Sequence, residues 1–231
     1  MKIYIVRHGE SYSNTQGRIV STTDLPLTER GIKQAEAVRK YLERIVNGDF
    51  HHIYTSPLIR AKQTMEIICG NNINHQNVID ICGELVEMNL GKMEGLTWGE
   101  SAELYPDIDT AGGLSNAHMP DGERFEDVVE RCDHFIQYKL LPLNSMGNVL
   151  IVSHGITIRV LINCLLGKAG FNVNYINWPD NTAISQIDVH PETGAKTLIR
   201  LNDRVHLAES DLGAVKYDEW GIFAKEEYKG I

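Results

Sequence analysis

Apolar residues fall along this chain in two alternating rhythms. Short continuous runs occupy Ile3-Tyr4-Ile5-Val6, His52-Ile53-Tyr54-Thr55, Val78-Ile79-Asp80-Ile81 and Val149-Leu150-Ile151-Val152. Their length and their β-branched and aromatic content predict strands, the last of them the most deeply buried. Between these runs the apolar spacing stretches to three and four. Ile32, Ala35, Val38, Leu42, Ile45 and Val46 form a helical stripe behind Thr28 as N-cap, and Asn47-Gly48-Asp49 closes it. Leu58, Ala61, Met65 and Ile68 form a second stripe, with Ser56 as cap and Pro57 in the first helical position. Phe125, Val128, Val129, Cys132, Phe135, Ile136 and Leu140 predict a long third helix. Residues 156–166 are apolar nearly all round, the pattern of a helix packed deep against a sheet.

Other stretches carry weaker signals. Residues 10–14 predict a short helical turn, and 15–26 a polar loop. From about 96 to 122 periodicity fades and Gly, Pro and Asp accumulate, which predicts an excursion out of the core. Residues 183–189 and 197–201 read as a hairpin turned by Pro191-Glu192-Thr193-Gly194. The tail, about 208–231, is mixed in charge, with Tyr217, Trp220 and Phe223 at helical spacing. That spacing fits a short helix that packs on the domain, covers a pocket, or joins a second subunit in a homodimer. Strands alternating with helices predict a single α/β domain over residues 1–231. Its expected form is a three-layer α/β/α sandwich with a mostly parallel central sheet.

Composition narrows the function. A length of 231 residues suits one good-sized domain. A formal net charge of -9 argues against a broad nucleic-acid surface, which needs clustered Lys and Arg, but leaves room for a small anionic substrate. Two arginines in a buried pocket outweigh distant carboxylates that solvent and salt screen. No apolar run approaches the roughly eighteen residues of a membrane span, and the N-terminus lacks a secretory pattern, so a cytoplasmic protein with no membrane partner is expected. Cys69, Cys82, Cys132 and Cys164 stand far apart and are expected as buried thiols rather than disulfides or metal ligands. The histidines outside the strand ends (His51, His52, His75, His118, His134, His190 and His206) show no ligand spacing, so no metal is expected. Gly-rich phosphate loops of the P-loop or dinucleotide type are absent as well.

The candidate chemistry sits where strands end. Arg7-His8-Gly9 follows the first strand, Arg60 opens the helix after the second, and Ser153-His154-Gly155 follows the buried one. In an open α/β sheet, ligands gather beyond the carboxyl ends of the strands. If these strands run parallel, two arginines and two histidines converge on one pocket. A phosphate fits such a pocket, because arginine forks bind its oxygens bidentately and helix N-termini offer backbone N–H groups.

These residues belong to a wider set of motifs. Arg7-His8-Gly9-Glu10-Ser11 with Asn14, Asp24-Leu25-Pro26-Leu27-Thr28 with Gly31 and Gln34-Ala35, Ser56-Pro57-Leu58-Ile59-Arg60-Ala61-Lys62-Gln63-Thr64, Glu87 within Glu84-Leu85-Val86-Glu87-Met88-Asn89-Leu90-Gly91, and Val152-Ser153-His154-Gly155 occur in order. Over most of its length the chain resembles the histidine phosphatase superfamily, also called phosphoglycerate-mutase-like. The resemblance implies that His8 accepts the phosphoryl group as a phosphohistidine, splitting one displacement into two easier ones. It implies that Arg7, Arg60 and His154 surround the phosphoryl oxygens and that Asn14 adds a neutral donor. Glu87 would protonate the leaving alkoxide and then take a proton from the attacking water. Neighbouring arginines and a helix N-terminus would keep His8 neutral, and a backbone carbonyl on its other nitrogen would fix the tautomer. Positive charge comes from the side chains, so no cofactor is implied.

Two branches of the family remain to be told apart. Phosphoglycerate mutases carry extra basic residues in the excursion after the acid. Between Thr97 and Glu123 this chain has no Lys or Arg, and instead has Glu100, Glu103, Asp107, Asp109 and Asp121. Such an acidic rim would repel a phosphoglycerate. Gly91-Lys92-Met93-Glu94-Gly95-Leu96-Thr97 and Pro120-Asp121-Gly122-Glu123 resemble the small phosphatases, as in α-ribazole phosphatase and broad-specificity relatives. The expectation is a metal-independent phosphomonoester hydrolase for a small phosphorylated metabolite. A cofactor-dependent mutase is the first alternative and a non-catalytic scaffold the second. In the loop before Asp24, Val20-Ser21 stands where the family has a small polar residue and a glycine. Ser21, through backbone or hydroxyl, and Gly155 complete the expected substrate contacts. Leu90, Met93, Leu96, Trp98, Tyr105 and Met119 form either an apolar pocket wall or the core of the excursion.

Overall fold

A computed structural model describes residues 1–70, 78–108, 118–143, 147–167 and 176–212. The apolar runs become strands β1 (Lys2–Arg7), β2 (His52–Thr55), β3 (Val78–Ile81) and β4 (Asn148–Ser153). The hairpin gives β5 (Ile184–Val189) and β6 (Lys196–Asp203). They form one sheet in the order β3-β2-β4-β1-β5-β6. The first four are parallel, while β5 and β6 add antiparallel on one side. The sheet is thus mostly parallel, as the alternation predicts.

Period-two alternation along the central strands divides the core. Ile3 and Ile5 of β1 join Val149 and Ile151 of β4 on one face, while Tyr4 and Val6 join Leu150 and Val152 on the other. Two helices cover the second face: α1 (Glu29–Val46), through Val38 and Leu42, and α2 (Ile59–Cys69), through Ala61, Met65 and Ile68. The first face receives two more helices. From α4 (Phe125–Phe135) come Val128, Cys132 and Phe135, and from α5 (Gly155–Leu166) come Ile158, Leu161 and Leu165. With both faces covered, parallel strands read as continuous apolar runs, which is why β1 and β4 are so plain in the sequence.

Several local expectations need correction. Thr28 does cap α1, its hydroxyl accepting from the Gly31 N–H. In the predicted stripe, however, Ile32 and Ile45 face solvent, and Gln34 is buried in the helix's inner face instead. Pro57 does not open α2, which starts at Ile59, and Ser56 does not cap it in the expected way. The helical turn expected at 10–14 is a 3-10 turn at Asn14–Gln16. The third helix changes to a π-helical stretch at Ile136–Leu140. The excursion contains a helix, α3 (Trp98–Leu104), fixed by a capping box of Thr97 and Glu100. A final short helix, α6 (Val205–Glu209), begins within the expected hairpin-to-tail connection. Tyr217, Trp220 and Phe223 lie outside the described residues.

Cys69, Cys82 and Cys132 are buried thiols, as expected. Burial pushes their pKa values up to about 12, about 11 and about 12. Among the described residues, no helix is long and apolar enough to cross a membrane.

Candidate active site

The register of the parallel strands puts the chemistry on one level. Arg7 pairs with Ser153 and Thr55 with Val152, so His8, Ser56 and His154 are the first residues beyond three adjacent strand ends. The His8 N–H donates to the Ser153 carbonyl (3.0 Å), and the Ser56 N–H donates to that of Val152 (3.1 Å). The two imidazoles then lie 5.0 Å apart between ring centroids. A cavity opens above them, with Arg7, His8, Arg60, Glu87 and Asn14 in its wall.

His8 is held as a neutral base. Its Nδ1 lies 2.7 Å from the Gly9 carbonyl, which only a protonated ring nitrogen satisfies, so Nε2 carries the open lone pair. Burial first, then the charges of Arg60 and Arg7, hold its pKa well below the ordinary value of 6.5. The loop carrying it is braced from two helices. Gly9 N–H donates to the Thr64 hydroxyl of α2 (2.9 Å), and Glu10 N–H donates to the Gln34 side chain of α1 (2.8 Å). The start of α1 presses on this loop so closely that a Cβ at Gly31 would lie 2.0 Å from the Glu10 carbonyl oxygen. Glu10 itself binds Thr28 and Arg30, and so helps anchor the loop.

The arginines are fixed by backbone carbonyls. Arg7 donates to Pro179 O (2.8 Å). Arg60 donates to Thr23 O (3.0 Å) and Ser21 O (2.6 Å). Ser21 therefore stands behind Arg60, and its donors are spent elsewhere. Its N–H and hydroxyl both donate to the Glu94 carboxylate (3.0 Å each). The expected donation from Ser21 to a substrate is not what this geometry offers, and Val20 lines the cavity in its place. Glu94 also accepts from the Thr22 hydroxyl and the Thr23 N–H. Burial alone would raise its pKa, but these hydrogen bonds pull it down to about 2.

His154 is fully buried beside His8. Its Nε2 lies 2.8 Å from the Ser56 hydroxyl. That hydroxyl already accepts from the Leu58 N–H (3.3 Å), so its hydrogen is available for Nε2. The proton of a neutral His154 then belongs on Nδ1, a buried nitrogen with no hydrogen-bond partner among the described residues. Burial, Arg60 and His8 together push the pKa of His154 well below 6.5. Ser56 thus turns to the site instead of capping α2.

Glu87 occupies the helix N-terminus that the sequence reading reserved for phosphate. Its carboxylate accepts from the N–H groups of Ile156 (3.2 Å), Thr157 (3.2 Å) and Met88 (2.9 Å). Gly155 is not among the residues that line the cavity. It is the point where Trp178 packs on α5, and a Cβ there would lie 2.7 Å from the indole. Asn14 does reach the cavity. Its side-chain oxygen accepts from the Ser11 N–H (3.0 Å) and Asn181 (3.2 Å), which leaves its NH₂ as the group to offer a ligand. Ser13 also lines the cavity, with a buried hydroxyl that has no partner among the described residues.

Ser13, Glu94 and the 179–182 segment escaped the sequence reading. Asn181 donates to the His8 carbonyl from 173 residues away, and Thr182 N–H reaches the Arg7 carbonyl (3.0 Å). The dense polar turn Pro179-Asp180-Asn181-Thr182 was the available signal.

Comparison with known proteins agrees with this geometry. The family model described as "Histidine phosphatase superfamily (branch 1)" matches residues 3–204. A Salmonella arizonae protein named "Probable phosphoglycerate mutase GpmB" is 32% identical over 196 residues, covering 81% of this chain and 85% of its own. The structure of α-ribazole phosphatase from Shigella flexneri is similar with a TM-score of 0.75 and 27% identity, covering 88% of this chain and 96% of that one. Phosphoserine phosphatase from Entamoeba histolytica is similar with a TM-score of 0.73 and 28% identity, covering 89% and 98%.

Proposed function

The chain belongs to the histidine phosphatase superfamily, and from that premise we propose that it is a cytoplasmic, metal-independent phosphomonoester hydrolase working through a phosphohistidine on His8. The observation that carries this reading is the neutral His8, with Nδ1 tied to Gly9 and Nε2 open in a cavity that also holds Arg7, Arg60 and Glu87.

In the first half-reaction, His8 Nε2 forms a bond to phosphorus as the ester P–O bond breaks. Glu87 gives its proton to the departing alkoxide. In the second, water adds to phosphorus and the P–N bond breaks, while the water's proton returns to Glu87. The sum is ester plus water giving alcohol plus inorganic phosphate. Arg7 and Arg60, in the cavity wall, meet the charge spread over the phosphoryl oxygens, with Asn14 and Ser13 as neutral donors, and His154, buried beside His8, holds a further N–H for the same charge. These fixed donors supply the positive field that a metal supplies in other phosphoryl-transfer sites.

A mutase is the second reading, favoured by the name of the Salmonella relative. Against it, Arg7 and Arg60 are the cations among the described cavity-lining residues, and both serve the phosphoryl end. The test is inorganic phosphate release from an aryl phosphate in excess EDTA. Hydrolysis is expected in the wild type and its loss in His8→Ala, and hydrolysis that persists in the variant removes His8 as nucleophile. Interconversion of phosphoglycerates with a bisphosphoglycerate primer, faster than hydrolysis, would establish the mutase instead.

A further inference from the structure

The same cavity also carries a lining of a different chemistry, formed by Val20, Leu90, Trp98, Ile156 and Trp178. These come from separate parts of the chain and are held firmly. Leu90 is 3% exposed and belongs to the main core. Trp98 opens α3 behind the Thr97–Glu100 capping box. Trp178 lies against α5 at Gly155, and the Arg159 guanidinium stacks on its ring at 5.5 Å.

In-line displacement puts the departing oxygen opposite His8 Nε2, where Glu87 protonates it, and the body of the alcohol meets this lining, whose Ile156 N–H binds Glu87. A carboxylate or ammonium on that alcohol would lose its water against this apolar lining, while Arg7 and Arg60, the cations among the described lining residues, are taken by the phosphoryl group. Elsewhere among the described residues, Arg18 binds Gly95 O and Glu100, Lys92 binds Asp121, and Arg131 binds Glu123. An uncharged planar ring gains instead, since two indoles offer area and favourable ring-to-ring geometry.

Resting on the phosphatase reading above, we propose that the substrate is a phosphomonoester of an uncharged alcohol whose aromatic or extended apolar body lies against Trp98 and Trp178. The test compares esters whose leaving groups are all alkoxides, so that intrinsic reactivity does not decide the outcome. The full chain is assayed with 1-naphthylmethyl phosphate, glycerol 3-phosphate, phosphoserine and 3-phosphoglycerate. The expected result is a kcat/KM for the naphthylmethyl ester about tenfold or more above each of the others. In Trp98→Ala that ratio falls by about fivefold or more through KM, and Trp98→Phe keeps most of it. Equal values across the series, a preference for 3-phosphoglycerate, or an unchanged ratio in Trp98→Ala overturns the inference while leaving the phosphatase reading intact. Absence of turnover on every ester removes both.

Discussion

The cavity has two kinds of lining, built by different means. The phosphoryl-binding side chains are fixed by polar contacts: His8 to Gly9, Arg60 to the loop carbonyls of Ser21 and Thr23, His154 to Ser56, and Glu87 to the amides of α5. Val20, Leu90, Trp98 and Trp178 come from loops and the excursion and present apolar surface. The difference teaches where each property resides. In the proposed reading, preorganised donors serve the phosphoryl chemistry that esters share, and the apolar loop residues select which ester enters.

If that division is right, damage to the two linings has different signatures. The largest effect, after loss of His8, is expected from Glu87→Gln. The amide keeps the size of the side chain but neither gives nor takes the proton, and kcat should fall by about 10²- to 10⁴-fold. A poor alkoxide leaving group should suffer more than an activated aryl one, which steady-state kinetics on such a pair will check. Equal losses on both would remove the leaving-group acid.

Ser56→Ala comes next. Without the hydroxyl, nothing places the His154 proton on Nδ1, so kcat should fall roughly 10- to 100-fold with KM for an aryl ester little changed. Ser56→Thr should restore most of it. A purely structural Ser56 would instead lower thermal stability in proportion to activity, which a melting curve on the same sample reveals.

The smallest effects concern pH. His8, His154 and His206 are buried and favour the neutral form, with burial as the leading cause in each. The unfolded chain binds their protons near the ordinary value of 6.5, so stability falls as pH drops below that value. For His206 the loss levels off near its folded value of about 4. Glu94 acts lower. Its folded pKa of about 2 lies under the ordinary 4.5, so its contribution is present above 4.5 and fades as pH falls toward 2. Denaturant midpoints against pH should therefore slope less between those limits in Glu94→Gln than in the wild type.

The same division explains what could be read from sequence. Arg7, His8 and His154 are legible because they follow apolar runs directly, whereas Glu87 and Asn14 come with the family resemblance. Arg7 and His8 close β1, His154 closes β4, and parallel register does the rest. Ser56 was misread because Ser-Pro before an apolar stripe is an ordinary helix start, and only the fold shows the hydroxyl turned to His154. Ile32 and Ile45 were counted as buried because periodicity gives spacing without the width of the covered face. The contacts of Glu94, a residue named from sequence only within its motif, and of Asn181 escape for a third reason. They hold Ser21 and His8 across 73 and 173 residues, and nothing local marks such contacts. The apolar lining has the weakest signal, since Leu90 and Trp98 read more readily as core of the excursion than as pocket, and both line the cavity while Met93 and Met119 are core.

The central claim is that His8 carries the phosphoryl group and passes it to water. Quenching the enzyme in alkali during turnover of an aryl phosphate in excess EDTA, then mapping the modified peptide by mass spectrometry, tests it most directly. The expected result is one phosphoryl group on the peptide containing His8, labile in acid, formed before inorganic phosphate and absent from His8→Ala. A burst of alcohol release with no phosphorylated peptide, or a phosphoryl group on any other residue, would contradict it.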